Sequence, residues 1–169
     1  AAAAPARRLA TRRRALSPRE QRLYDLAFRG IGVTPKSYRA LLAAGVRWGR
    51  KGPGAELASE GRKFGHVLVL LEGECELTRR GVVVERLAPG NVVAVGGILG
   101  GDFLVRQTTV RAATDVEYAY WPRGHLERQY ERCEQARYAM TSLLAHDDAK
   151  RLLVYQNEEA DRLEAAERR

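Results

Sequence analysis

From residue 46 to about 120 the apolar positions fall in short runs of Val, Leu and Tyr, punctuated by glycines at 52, 54, 61, 65, 73, 81, 90, 96, 97, 100 and 101. Runs at 67–71, 74–78, 82–87, 92–95, 108–112 and 116–121 predict strands, and Arg79-Arg80-Gly81 and Ala88-Pro89-Gly90-Asn91 predict turns between them. Many short strands in succession predict a roll, sandwich or barrel. Glu72, Glu74 and Glu76 alternate, which places three carboxylates on one solvated strand face.

The period changes on either side of this region. Ser17, Pro18 and Glu20 read as a helix start with a capping box, and Leu23, Leu26 and Ala27 give that helix one apolar face. After Gly30-Ile31-Gly32, Thr34-Pro35 repeats the start signal, and Tyr38, Leu41 and Leu42 follow at helical spacing up to Gly45. From Pro122 onward, Leu126, Tyr130, Cys133, Arg137, Met140, Leu143 and Leu144 predict one long closing helix with a single buried face. The fold class expected is α+β, mainly β: two short helices, a β region and a long helix.

Length and composition add boundaries. At 169 residues the chain suits one domain with tails, and an apolar share of 45% with 30% charged residues is that of a folded protein. The net charge of +8 is concentrated at the start, where Arg7, Arg8, Arg12, Arg13 and Arg14 precede the first acid, Glu20. Residues 1–16 therefore read as a basic, flexible arm, 17–155 as the domain, and 156–169, QNEEADRLEAAERR, as a charged and solvated extension. The Ala- and Arg-rich, acid-free start resembles the remnant of an organellar transit peptide, which implies a mitochondrion or plastid rather than the cytoplasm. The apolar runs HVLVLL and VVAVGGILGG are too short to span a bilayer.

Catalytic chemistry lacks its parts. Cys75 and Cys133 have no metal or redox spacing. His66, His125 and His146 fall on different predicted elements, and no HExxH, nucleophile elbow or Walker loop accompanies them, so no enzyme and no metal are expected. Tyr118 and Tyr120 share a strand face without any nucleic-acid motif and read as core and rim.

The succession GECELTRRG, RLAPGNVVAV and RQTTVRAATDVEYAYW resembles the cyclic nucleotide-binding β-roll of bacterial catabolite activators and kinase regulatory subunits. LYDLAFRGIGVTPKSYRALL before the roll and YAMTSLLAHDDAKRLL after it most resemble the flanks of Popeye domains, so the likeness spans about residues 22–155. Bacterial relatives append a helix-turn-helix after the long helix; the chain stops soon after it, and DNA reading by that route is not expected.

The resemblance implies a phosphate-binding cassette between Ala94 and Thr109. Gly96, Gly97 and Ile98 fall in its short-helix segment, Arg106 stands where the phosphate-binding Arg is expected, and Gln107, Thr108 and Thr109 follow. Helix N-terminal N–H groups and a charge-assisted Arg contact suit a cyclic phosphate. Where the family carries a ribose-binding Glu this chain has Val95, and Asp102 comes too late to replace it. Of the two Popeye motifs, the Asp-Ser-Pro-Glu type has no counterpart in Ala94-Val95-Gly96-Gly97, while Arg106-Gln107-Thr108-Thr109 echoes the Phe-Gln-Val-Thr type. The reading that results is a non-catalytic binding or scaffold domain. It would be an accessory subunit docking on protein partners in a larger assembly, organellar or docked on a membrane complex, with no cofactor and at most weak cyclic AMP binding. A cyclic nucleotide sensor is the alternative.

Overall fold

The computed structural model describes residues 14–63, 65–93 and 108–168. The chain enters at α1 (Pro18–Leu23), passes through one π-helical turn (Tyr24–Phe28) and a 3-10 turn (Arg29–Ile31), and continues into α2 (Pro35–Ala43). The capping box is formed: Ser17 Oγ accepts from the Glu20 N–H at 3.4 Å, and the Glu20 carboxylate accepts from the Ser17 N–H at 2.7 Å. Thr34 caps α2 by accepting from the Ser37 N–H at 3.2 Å. The tyrosines stitch the two helices together. Tyr38 Oη donates to Glu20 O at 2.5 Å, and Tyr24 Oη donates to Val33 O at 2.9 Å.

Arg14 lies within the stretch expected to be a free arm, yet it is tied down. Its guanidinium donates to Glu20 at 2.6 Å, and its carbonyl accepts from Arg39 at 2.6 Å.

Eight strands follow: β1 (Arg47–Lys51), β2 (Glu56–Ala58), β3 (His66–Glu72), β4 (Cys75–Arg79), β5 (Val82–Leu87), β6 (Val92–Val93), β7 (Thr109–Ala112) and β8 (Val116–Pro122). They form two antiparallel four-stranded sheets, β1-β8-β3-β6 and β2-β7-β4-β5. The β-roll expected from the sequence is present, and among the described residues no helix is long and apolar enough to cross a membrane.

The first sheet has two buried faces because β3 and β8 alternate between two cores. Val67, Val69, Leu71, Ala119 and Trp121 face the helices, whereas Leu68, Leu70, Val116, Tyr118 and Tyr120 face the second sheet. Trp121 is fully buried beneath α2, where its Nε1 donates to Leu41 O at 3.1 Å.

Two expectations are corrected. The carboxylates at 72, 74 and 76 do not share a strand, because Gly73 turns the chain from β3 in one sheet to β4 in the other. Its φ is +78°, and a Cβ there would meet the Asp115 carbonyl oxygen at 2.0 Å, so only glycine makes this corner. Glu72 then pairs with Arg22 and Glu76 with Arg86.

The long closing helix is present as α4 (Glu134–Glu167), but it begins later than expected, with a separate α3 (Arg123–Tyr130) before it. Gln129 O accepts from both Arg132 and Cys133 N–H groups, and Cys133 is extended at φ −140°. The break re-phases the second helix, so its buried face is Ala136, Ala139, Met140 and Leu143, and Arg137 is exposed. α4 then runs without interruption through residue 155, where the sequence suggests a domain boundary.

Burial raises the Glu20 carboxyl, but hydrogen bonds from Arg14 and Ser17 outweigh it and hold the group below its ordinary 4.5. A depressed carboxylate contributes stability that is present above its unfolded value and lost as pH falls through the folded one. Urea unfolding as a function of pH therefore shows a loss of stability below about pH 4.5 that becomes shallower in Glu20→Gln. An unchanged acid limb in that variant contradicts the assignment.

Candidate functional site

The roll interior opens at one end between β2, β3 and β8. Leu57, His66, Leu68, Tyr118 and Tyr120 line a cavity there of about 210 Å³. The His66 and Tyr120 rings meet edge-on at 5.3 Å, and Tyr118 and Tyr120 are 5.9 Å apart and tilted. Burial and the nearby Arg47 lower the His66 pKa below its ordinary 6.5, so the imidazole is neutral at neutral pH. Burial, with Tyr120 beside it, raises Tyr118. Among the described residues the lining carries no carboxylate, lysine or arginine, and these side chains suit a flat, weakly polar group.

Tyr118 is positioned by a glycine across the ladder. Gly49 of β1 pairs with Tyr118 of β8, and a Cβ on Gly49 would lie 2.4 Å from the tyrosine ring. The ring therefore lies against bare backbone. Position 49 has to lack a side chain because the ring occupies its place, not because of its backbone angles.

The cassette residues expected from the resemblance are placed only in part. Gly96, Gly97, Ile98, Arg106 and Gln107, together with Val95 and Asp102, lie outside the described residues. The segment's two anchors are described. Val93 ends β6 opposite Leu68, and Thr109 begins β7 opposite Thr78. Both adjoin the roll-interior core, through Val93 on one side and Val110 on the other. Thr108 forms the bend before β7. Thr109 alternates with the inward Val110, and its hydroxyl accepts from the Glu60 N–H at 3.0 Å.

A second arrangement escapes sequence reasoning. Among the described residues strand β6 is the edge of its sheet, and an edge residue has an outward N–H and C=O that need partners. α4 supplies both. The Val92 N–H donates to Asp147 Oδ1 at 3.4 Å, and Arg151 Nη2 donates to Val92 O at 2.7 Å. Arg151 Nε also donates to Asp147 Oδ2 at 3.0 Å, and Arg151 pairs with Glu85 of β5 at 3.4 Å. The only sequence signal is the i,i+4 spacing of an acid and a base, which on its own reads as a surface helix pair.

Burial pushes the Cys75 thiol up to about 11, far from a reactive thiolate. Among the described residues no three His, Cys, Asp or Glu side chains cluster as metal ligands.

The sequence matches the family model described as cyclic nucleotide-binding domain over residues 50–133. No curated protein matches the chain in sequence. Among solved structures, the chain is similar to a cyclic nucleotide-binding domain from Methylobacillus flagellatus KT, with a TM-score of 0.65 and 15% identity over 85% of this chain and 83% of that one. It is similar to the catabolite activator protein of Thermus thermophilus, with a TM-score of 0.59 and 20% identity over 84% of this chain and 62% of that one. It is also similar to the C-linker/CNBHD of zELK channels crystallised in the presence of cAMP, with a TM-score of 0.60 and 16% identity over 69% of this chain and 59% of that one. The chain thus spans about three fifths of the length of the activator and channel chains. At these identities the likeness establishes the fold.

The close approach at Gly49 has a measurable consequence. Gly49→Ala forces the Tyr118 ring to move and lowers stability by about 1–3 kcal/mol. In a Tyr118→Leu background most of that cost disappears, because the clash has lost its partner. Denaturant unfolding of the two single variants and the double variant checks this, and strictly additive costs would contradict the packing described.

Proposed function

We propose, from the membership of residues 50–133 in the cyclic nucleotide-binding domain family, that this chain is a non-catalytic binding module whose roll responds to a small ligand and whose α4 carries that response to protein partners. The observation that carries the reading is the hold of Asp147 and Arg151 on both backbone groups of Val92. Val92 stands two residues before residue 94, where the resemblance begins the phosphate cassette. A ligand that rearranges the cassette acts on β6, and β6 is hydrogen-bonded to α4. Binding energy then biases a two-state element only to the extent that the ligand prefers one state.

The ligand favoured by the resemblance is a cyclic nucleotide held weakly. Arg106 supplies the phosphate contact, and the flat aromatic end of the roll suits a purine face. Val95 leaves the ribose hydroxyl without an acceptor, which costs about 1–3 kcal/mol and so one to two decades of affinity. The narrower Popeye assignment rests on the helical flanks of the roll.

A ligand-independent accessory subunit is the second reading. Leu152, Leu153, Val154 and Tyr155 on α4 are all more than half exposed, a surface suited to a protein partner.

Isothermal titration calorimetry with cyclic AMP and cyclic GMP distinguishes the two. The proposal expects binding no tighter than high micromolar, abolished by Arg106→Ala. Sub-micromolar binding would show that another group replaces the missing acceptor. No heat with either nucleotide, together with an Arg106→Ala variant altered only in melting temperature, would leave the accessory-subunit reading standing.

A further inference from the structure

Charge is divided unevenly along the chain. Residues 1–51 hold thirteen Arg and Lys against two acids, Glu20 and Asp25, while residues 52–169 hold sixteen against nineteen. The whole positive excess of the molecule therefore belongs to α1, α2, β1 and the segment before them.

The fold gathers much of that excess on one surface. Lys36 and Arg39 are neighbours three residues apart on α2, and the Arg39 guanidinium donates to Arg14 O at 2.6 Å. Arg14 in turn reaches Glu20, the residue beside Arg19, and the Arg19 guanidinium lies over the Trp48 ring of β1 at 4.8 Å from its centroid. Arg47 precedes that tryptophan. The one acid in this series, Glu20, is 8% exposed, whereas Arg14, Arg19, Lys36 and Arg47 are exposed. Among the described residues Arg19, Lys36, Arg39 and Arg47 pair with no carboxylate, so their charge is not cancelled locally. A grouping of like charge of this kind attracts an extended anion through the field it creates.

Trp48 decides which anion. The ring is half-buried against the helix-side core, and Arg19 already lies over it, in the place that a stacked nucleobase would take. A half-buried indole set among cations suits the headgroup layer of a membrane instead, where the ring sits at the boundary and the cations meet anionic lipid.

We infer that the surface formed by Arg14, Arg19, Lys36, Arg39, Arg47 and Trp48 docks on an anionic lipid bilayer. The inference stands apart from the identity of any ligand in the roll.

Co-sedimentation of the full chain with lipid vesicles tests it. Binding is expected to vesicles of phosphatidylcholine with about one third phosphatidylserine, and about tenfold or more weaker binding to phosphatidylcholine alone or in ~0.5 M salt. Arg19→Glu combined with Lys36→Glu weakens binding to the anionic vesicles by about tenfold or more. Both positions lie in the first turn of a helix, where an acid suits the helix dipole, and circular dichroism confirms that the fold is kept. Arg79→Glu combined with Arg80→Glu, at the turn between β4 and β5, changes the net charge equally and leaves binding within about twofold. Lipids brominated on their acyl chains quench the tryptophan fluorescence, and Trp48→Phe removes the quenching because the other tryptophan, Trp121, is fully buried. No binding to the anionic vesicles, binding indifferent to phosphatidylserine, an equal loss in the two charge-reversed pairs, unchanged quenching in Trp48→Phe, or tighter binding to a DNA duplex than to the vesicles at the same salt would each overturn the inference.

Discussion

Strands β3 and β8 are covered on both faces, and the rest of the architecture follows from that constraint. Along β3 the side chains of Val67, Val69 and Leu71 pack under the helices while Leu68 and Leu70 face the second sheet; along β8 Ala119 and Trp121 oppose Val116, Tyr118 and Tyr120 in the same way. A strand buried on both faces cannot slip by one residue without exchanging its two cores, so its register is fixed by packing on both sides. The helical layer and the roll interior are consequently the two sides of one rigid sheet. A displacement of either side is felt by the other through a single layer of backbone, and among the described residues β6 pairs with β3 on one side only.

That edge is where α4 meets the sheet. Asp147 and Arg151 complete the hydrogen bonding that β6 lacks on its open side, and Glu85 draws the same guanidinium toward the second sheet. Arg151 therefore touches β6 and β5 from a helix whose earlier turns are fixed by Ala136, Ala139, Met140 and Leu143 in the helix-side core. The arrangement gives a physical route between the roll and the helix that uses backbone contacts of one short strand. It is also compatible with a module whose chemistry is recognition: a neutral His66, two partly buried tyrosines and an inert Cys75 surround the roll interior.

Local signals survived the passage from sequence to structure because the forces behind them are local. The caps at Ser17 and Thr34 are contacts across three residues, and the hairpin and turn glycines are read from the chain itself. The misreadings came where the chain changes direction without losing its pattern. Apolar spacing from Leu126 to Leu144 is the same for one helix or for two with a break at Cys133, since Tyr130 and Cys133 pack on the same core in either case. The alternation of Glu72, Glu74 and Glu76 concealed a corner that only the closeness of Gly73 to Asp115 reveals. The hold on Val92 spans more than fifty residues of sequence, and Gly49 matters only because Tyr118 lies across from it. The cassette expected from resemblance lies outside the described residues apart from its last two positions, Thr108 and Thr109, the second of which accepts from the Glu60 N–H.

The measurement that bears most directly on this account is native-state hydrogen exchange of the wild-type chain beside an Asp147→Asn, Arg151→Met variant. If α4 holds the edge strand, the Val92 and Val93 amides lose protection in the variant while the Val69 and Ala119 amides, at the centre of the same sheet, keep theirs. Unchanged protection at β6, or an equal loss across the whole sheet, would contradict the claim that α4 is coupled to the roll through this strand.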